Sequence, residues 1–200
     1  MTDNAFWQDR YSRASASGEQ LWSAGPNAWI EQTVGHLPIG EAVDLAAGEG
    51  RNALWLAARG WTVTAVDFAP AGLAIGRARA AELGVEVDWV EADATSWISP
   101  SLVDLVVVAY LQLPADALAD ALANASASLA PGGTLALVGH ALENLADGVG
   151  GPQDPALLHR IDHLSATARA VGLDVEECRL VARDTAAGTA LDAVLVAARP

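Results

Sequence analysis

The pattern of hydrophobic and polar positions alternates between short apolar runs and longer segments with helical spacing. The clearest example runs from Glu41 to Asp67. There an apolar run at 42–46 leads through a glycine turn into a helical pattern at 51–59 and then into an apolar, β-branched run at 61–66. Two strands joined through a helix within about 30 residues form a βαβ unit. The stretch therefore predicts two neighbouring parallel strands.

Segments of the same two kinds follow along the chain. The spacing predicts helices over 27–36, 70–83, 114–129 and 156–171, and strands over 85–90, 102–110, 134–138, 173–182 and 189–198. The run at 102–110 is almost wholly apolar, which is typical of a central parallel strand. The turn at 186–188 predicts an antiparallel last pair. We therefore predict an α/β fold, a doubly wound, Rossmann-like sheet of seven strands that is mostly parallel, with an antiparallel last strand and helices on both faces.

The first 38 residues precede the predicted sheet and are rich in large side chains. Tyr11 and Trp22 flank a small, polar stretch at 12–20 that is typical of a loop. Two interpretations stay open: the aromatic residues dock the segment onto the sheet, or the segment is a lid that holds Tyr11 and Trp22 over a cofactor. We predict a helical cap or lid over residues 1–38 and a single α/β domain over 39–200.

The composition restricts the partners that this chain can have. Apolar residues make up 52% of the 200 residues, and the net charge of −14 repels phosphate backbones, so we expect no nucleic-acid partner. No apolar run reaches the ~18 residues of a membrane span, and the first ten residues are polar, so we expect no membrane partner and no secretion signal. The single cysteine, Cys178, excludes an internal disulfide and fits a cytoplasmic location.

The glycine turn after the first strand has a chemical purpose. Gly48 and Gly50 let the backbone pass close to a bound molecule, since a Cβ would clash there. The free N–H groups at the start of the next helix point toward that molecule. Asp67 ends the second strand, where ligands of open α/β sheets bind, and its carboxylate can accept hydrogen bonds from a ribose. The stretch therefore predicts a cofactor that contains a nucleoside.

Four sequence features in this order form a recognisable pattern. An acid precedes alternating small residues in DLAAGEG at 44–50, Asp67 closes the second strand, Asp-Ala at 93–94 follows the third, and LAPGGTL at 129–135 leads into the fifth. In these motifs the chain resembles the class I S-adenosylmethionine-dependent methyltransferases, over about residues 37–200. Ala46 departs from the family pattern, which has glycine there. The segments WQDRYS, LWSAGPN and DLAAGEGRNALWLAARGW look like the bacterial branch related to tellurite-resistance and thiopurine S-methyltransferases.

The resemblance implies S-adenosylmethionine as cofactor and S-adenosylhomocysteine as product. It implies that Asp67 binds both ribose hydroxyls and that Phe68 packs on the adenine. Asp93 would accept a hydrogen bond from the adenine amino group, and the Ala94 amide would donate a hydrogen bond to the adenine ring. Simpler interpretations stay open, in which Asp67 caps the following helix, Asp93 caps a turn and Phe68 belongs to the core.

The resemblance also assigns residues to the methionine end of the cofactor and to the reacting centre. The residues expected at the methionine end are Asp44, Ala46, Ala47, Gly48, Gly50 and Asn52. Asn52 either helps hold the methionine carboxylate or, like Arg51, only starts the helix. Tyr110, after the fourth strand, would lie near the sulfonium and the acceptor, or would only pack at the strand end.

Methyl transfer from a sulfonium mainly requires positioning, with a general base only where the acceptor carries a proton. Our candidate catalytic residues are His140, which ends the fifth strand and has a suitable pKa range, and Tyr110. His140 could instead be an ordinary loop histidine. His159 and His163 are four apart on a predicted helix, a spacing that permits metal binding, but we see no third ligand and expect no metal.

Three functions remain open at this point. The preferred one is methyl transfer to a small-molecule acceptor, with a thiol or a chalcogen oxyanion as candidates. Gly48-x-Gly50-x-x-Ala53 also fits an NAD(P)-dependent oxidoreductase. The alanine at position 46 and the lack of a clear base leave room for a non-catalytic nucleoside-binding protein of the same fold.

Overall fold

The computed structural model describes residues 25–200. Most of the predicted cap, including Tyr11 and Trp22, lies outside the described residues. Within 25–200 no helix is long and apolar enough to cross a membrane.

The described residues build a seven-stranded sheet. Its strands are β1 Glu41–Leu45, β2 Thr62–Asp67, β3 Asp88–Glu91, β4 Val103–Ala109, β5 Leu129–His140, β6 Asp174–Thr185 and β7 Gly188–Ala198. Their order across the sheet is β3-β2-β1-β4-β5-β7-β6. Only β7 runs against its neighbours, because it pairs antiparallel with both β5 and β6 while the other described pairs are parallel. The predicted fold class is confirmed.

Helices cover both faces of this sheet. They are α1 Ala28–Val34, α2 Arg51–Ala58, α3 Pro70–Leu83, α4 Ala115–Ser128, α5 Asn144–Asp147 and α6 Ile161–Ala170, with a 3-10 turn at Pro155–Leu157. On one face, Ile30 of α1 and Leu56 of α2 join a core with Leu105 of β4. On the other face, Leu122 of α4 and Leu164 of α6 share a second core with the central strands. Within the apolar run predicted at 102–110, residues 105–108 of β4 are buried on both faces, as a central strand should be.

The largest departures from the predicted elements lie after β5. The stretch at 141–160 contains the short helix α5 and the 3-10 turn, and α6 begins only at Ile161. His159 is therefore not on that helix, and the prediction that it shares a helix with His163 is wrong. The backbone explains this, because the His159 amide donates to the carbonyl of His140 (2.9 Å) and His159 forms a parallel bridge with Ala141.

Candidate active site

The glycine turn after β1 contains three residues with positive φ. Ala46, Gly48 and Gly50 have φ of +62°, +59° and +72°. Glycine adopts these angles freely, whereas an L-residue with a side chain loses roughly 1–2 kcal/mol there. Ala46 is the one of the three that carries a side chain, so the turn holds local strain at this position.

Asp67, at the end of β2, is tied directly to this turn. Its Oδ2 accepts from the amide of Gly48 and its Oδ1 accepts from the amide of Ala69, each at 2.8 Å. Burial raises the pKa of Asp67, and the two amides oppose that rise. The alternative helix-capping role is not seen, because Ala69 occupies the N-cap of α3 and no side chain within residues 25–200 caps that helix. A carboxylate can accept about four hydrogen bonds, so these two contacts leave capacity for ribose hydroxyls.

Asp44, at the same edge of the sheet, is fully buried. Its Oδ2 accepts from the Ala53 amide at 2.9 Å, while its Oδ1 has no hydrogen-bond partner within residues 25–200. Burial raises the pKa of Asp44 to about 7, although the amide of Ala53, Arg51 and Asn52 all act to lower it. A buried carboxylate oxygen without a partner is costly, so this position fits a bound group that carries positive charge or N–H donors, as the methionine ammonium does.

Gly50 has a second role that the sequence did not indicate. A Cβ on Gly50 would lie 2.4 Å from Trp89 Cη2, and a Cβ on Gly76 of α3 would lie 2.3 Å from the same atom. The indole of Trp89 therefore fills the space between the turn and α3. Trp61 is also core, with 5% of its surface exposed, so both tryptophans are packed within the fold.

The residues predicted at the adenine end follow β2 and β3. Phe68 is half-buried, Ala94 is buried and Asp93 is exposed. Oδ1 of Asp93 accepts from the amide and the hydroxyl of Thr95, both at 2.8 Å. The capping role of Asp93 is thus present. Its exposure at the strand-end edge leaves it accessible to a polar ligand, and its adenine role stays a prediction.

Asn52 links the glycine turn to the N-terminal segment. Its Oδ1 accepts from the amide of Asn27 at 3.0 Å, and Asn27 caps α1. The Asn27 side-chain amide in turn donates to the hydroxyl of Tyr110 at 3.4 Å. The start of α1 therefore packs against both the turn and the reacting-centre candidate. Asn52 lies beside Asp44, where it lowers the carboxyl pKa, so its visible partners are protein groups.

Tyr110 and His140, the two predicted catalytic residues, lie side by side. Their ring centroids are 4.9 Å apart. Tyr110 has a φ of +60°, which is a rare and strained conformation for a bulky residue and is typical of functional sites. Burial first, and then the charge of Asp192, raise the pKa of the Tyr110 hydroxyl well above its ordinary range. Tyr110 is therefore protonated at neutral pH.

Two further residues in this cluster were missed by the sequence reasoning. The Tyr110 hydroxyl donates to Oδ2 of Asp192 at 2.8 Å, and Arg183 Nε donates to the same oxygen at 2.6 Å. Nδ1 of His140 lies 3.3 Å from Oδ1 of Asp192. The one signal in the sequence was a single carboxylate, Asp192, within the apolar run at 190–197. An unpaired charge in a buried strand is energetically costly, so such a carboxylate indicates a charged or hydrogen-bonding partner.

Two further titratable side chains, His159 and Cys178, are packed into the fold. His159 is 3% exposed, and burial first, then the nearby His140, lower its pKa to about 4. Cys178 is half-buried, its Sγ contacts the carbonyl of Ile161 at 3.5 Å, and burial raises its thiol pKa. Cys178 therefore has the character of a packed thiol. Within the described part of the chain, no three His, Cys, Asp or Glu side chains are grouped to hold a metal ion.

The comparisons with known proteins agree with this arrangement. Residues 42–133 match the sequence model of a family described as a methyltransferase domain. A search of curated proteins finds no significant match. Among solved structures, TehB from Haemophilus influenzae is similar with a TM-score of 0.74 and 15% identity, over 97% of this chain and 67% of that chain.

Two other solved structures cover nearly all of their own chains. A S-adenosylmethionine-dependent methyltransferase from Methanosarcina mazei gives a TM-score of 0.71 and 17% identity, over 88% of this chain and 98% of that chain. A TehB-like S-adenosylmethionine-dependent methyltransferase from Corynebacterium glutamicum gives 0.63 and 18%, over 98% of both. At these identities the likeness establishes the fold alone. The chain therefore has the fold of the S-adenosylmethionine-dependent methyltransferases, and its residues 42–133 match a methyltransferase domain.

Proposed function

We propose that this enzyme transfers a methyl group to a small-molecule acceptor, a thiol or a chalcogen oxyanion, by in-line displacement. The observation that carries the proposal is the Tyr110–His140 pair, whose rings are 4.9 Å apart. The pair lies at the ends of β4, which pairs with β1 and its glycine turn, and of β5, the next strand in the sheet. S-adenosylmethionine supplies an electrophilic methyl group on a positively charged sulfur. The protein's task is then to hold both reactants in line and to exclude water.

The donor side of the site is built by β1, β2 and their loops. We assign the ribose to Asp67, which is already oriented by the Gly48 amide, and the methionine end to the turn at 46–48 with Asp44 beside it. We assign the adenine to Phe68, Asp93 and the Ala94 amide. The helix N-terminus at α2 favours the methionine carboxylate.

The acceptor side carries positive charge in an otherwise acidic chain. The guanidinium carbons of Arg51 and Arg183 lie 5.7 Å and 5.5 Å from the centroid of the Tyr110 ring. A cation at this distance is attracted by the ring face and stays near it. Asp192 balances the charge of Arg183, so Arg51 supplies the added positive charge beside the candidate centre. That charge favours a nucleophile that is an anion or becomes one, which supports the thiol and oxyanion classes over a neutral amine.

We also propose that residues 1–38 cap the site. The support is Asn27, whose amide donates to Asn52 at 3.0 Å and whose side chain donates to Tyr110 at 3.4 Å. Asn27, near the start of the described residues, therefore lies at the candidate centre. We propose that Tyr11 and Trp22, which are outside the described residues, cover the cofactor. The net charge of −14 disfavours nucleic acid as the acceptor, and we place the enzyme in the cytoplasm.

An acceptor screen that detects S-adenosylhomocysteine tests this proposal. The purified full chain is incubated with S-adenosylmethionine and with alkyl thiols, aromatic thiols, tellurite, selenite, phenols and amines. Product that depends on a thiol or chalcogen acceptor is expected. Firm donor binding with no S-adenosylhomocysteine from any acceptor would instead favour the non-catalytic alternative, and product from amines alone would contradict the assigned acceptor class.

A further inference from the structure

Four side chains from four strands or strand ends meet beside the acceptor side of the site. Tyr110 follows β4, His140 ends β5, Arg183 lies on β6 and Asp192 lies on β7. Asp192 is 1% exposed and receives hydrogen bonds from Tyr110 (2.8 Å) and from Arg183 (2.6 and 3.4 Å). Burial alone would raise the pKa of Asp192, but the groups of His140, Arg183 and Tyr110 hold it below its usual range. Asp192 is therefore the fixed negative charge of this cluster.

The Tyr110 hydroxyl cannot serve as the base in this arrangement. It donates its proton to Asp192 and its oxygen faces the side-chain amide of Asn27 at 3.4 Å. Its raised pKa keeps it protonated. The hydrogen bonds from the Tyr110 hydroxyl to Asp192 and from Asn27 to that hydroxyl thus hold the residue in its strained backbone conformation. The role of Tyr110 is to position its ring beside His140.

The His140 ring has one edge toward Asp192 and one edge left for a ligand. Nδ1 is buried and lies 3.3 Å from Oδ1 of Asp192. Gly151 packs against the same side, since a Cβ there would lie about 3 Å from Cγ, Cδ2 and Nδ1. The His140 amide donates to Oε1 of Gln112 at 2.9 Å, which fixes the backbone. The side chain is 17% exposed, and the contacts named here leave the Cε1–Nε2 edge as the part to which we assign that exposure.

We propose that Asp192 positions the His140 ring so that Nε2 takes the proton from an acceptor that is still protonated at neutral pH, such as an alkyl thiol. A carboxylate beside Nδ1 keeps the imidazole proton on Nδ1. The lone pair of Nε2 is then available to take up a proton. Catalytic hydrogen bonds are often long until the reactants bind, and the distance of 3.3 Å fits that behaviour. The inference rests on the proposed function and narrows its substrate class to the protonated thiols.

The proton and electron balance of this step is simple. The acceptor sulfur forms a bond to the methyl carbon while the carbon–sulfur bond of the sulfonium breaks, with both electrons going to the donor sulfur. The acceptor proton passes to Nε2 of His140. The imidazolium then faces Asp192 on one side, with Tyr110, Arg183 and His159 as the other titratable groups nearby. Tyr110 stays protonated, and His159 is buried and neutral.

The first test needs no acceptor. Long-range proton–nitrogen NMR of the full chain, with His140→Gln used to assign the signal, reports which ring nitrogen of the neutral His140 carries the proton. We expect Nδ1–H in the wild type, and a shift toward Nε2–H in Asp192→Asn. Asp184→Asn is the matched control, because Asp184 is an exposed carboxylate next to Arg183 on β6. Nε2–H in the wild type would overturn the inference, and this readout does not depend on how stable the Asp192 variant is.

The second test uses pH profiles of kcat/KM with two acceptors. His140→Gln should lose roughly 10²-fold with a protonated alkyl thiol and little with an aromatic thiol that is already ionised. Asp192→Asn should show a smaller loss of the same kind, with the acidic limb moved to lower pH, while Asp184→Asn matches the wild type. Equal losses of kcat/KM for both thiols in His140→Gln would overturn the inference. The proposed function would still stand in that case, because the wild type forms product. No product from the wild type with any acceptor would overturn both.

Discussion

The amide of Gly48 donates a hydrogen bond of 2.8 Å to Oδ2 of Asp67, nineteen residues further along the chain. This bond joins the glycine turn after β1 to the acid that ends β2, so the two motifs act as one unit. The carboxylate is fixed before a ligand arrives, because Ala69 holds its other oxygen. Pre-orientation of this kind lowers the entropy cost of binding.

Asp67→Asn should therefore weaken donor binding strongly. The variant keeps the size of the side chain but loses a charged acceptor, which is worth on the order of 1.5–3 kcal/mol, or roughly ten- to a hundredfold in Kd. Titration calorimetry with S-adenosylhomocysteine measures the change. Glu91→Gln is the matched control, since Glu91 is the exposed acid paired with Asp67 in the register of β2 and β3. Unchanged affinity in a folded Asp67→Asn would show that another residue binds the ribose.

Ala46→Gly should stabilise the protein. Ala46 has a φ of +62°, which glycine adopts without strain, so we expect a gain of about 1 kcal/mol in the free energy of unfolding by urea. The neighbouring Ala47→Gly is the control, because Ala47 does not have positive φ and should lose stability through greater freedom of the unfolded chain. A loss of stability in Ala46→Gly would mean that the Cβ makes a contact worth more than the strain.

Gly76→Ala should destabilise, although alanine in a helix interior normally gains about 1 kcal/mol over glycine. The reason is Trp89, whose Cη2 would lie 2.3 Å from the new Cβ, with the Glu49 carbonyl oxygen at 3.0 Å. Urea unfolding of Gly76→Ala, Trp89→Leu and the double variant gives the coupling energy. The double variant should recover part of the loss. Simple additivity would show that the two residues do not share this space.

The pH dependence of stability should reveal the buried neutral His159. Its pKa is about 4 in the folded protein and about 6.5 when unfolded, so the unfolded chain binds the extra proton between these values. The contribution of His159 to the free energy of unfolding is therefore largest above pH 6.5 and is lost as the pH drops toward 4. The loss is about 3 kcal/mol for this one group.

Asp44 opposes this trend, because its raised pKa favours the folded state at low pH. The useful quantity is thus the difference between the wild type and His159→Gln in urea unfolding at each pH. That difference should change by about 3 kcal/mol between pH 6.5 and 4 and stay constant above pH 7. A constant difference across the whole range would mean that His159 binds its proton equally in the folded and the unfolded chain.

The sequence predicted what is local and missed what depends on strand order. The turn at 46–50, Asp67 and the strand ends could be found because a βαβ unit is built from neighbouring residues. Asp192 could not, since its place depends on β7 inserting between β5 and β6, and the antiparallel turn at 186–188 does not fix that order. Tyr110 and Asp192 are 82 positions apart in the chain, and no sequence pattern pairs them.

Packing of side chains was the other gap. The sequence predicts that Gly50 lets the backbone pass close to a ligand. The same position also makes room for the indole of Trp89, which lies on β3. His159 followed a helical spacing, but the backbone bond to His140 holds it in an extended conformation. In both cases a long-range contact outweighed a local preference.

The central claim is that this strand-end site binds S-adenosylmethionine, and isothermal titration of the full chain tests it most directly. S-adenosylmethionine, S-adenosylhomocysteine and NADH are titrated side by side into the wild type. The account predicts that the first two bind with micromolar or tighter affinity and that NADH does not. Binding of NADH alone would contradict the cofactor assignment and return the glycine turn to the nicotinamide alternative.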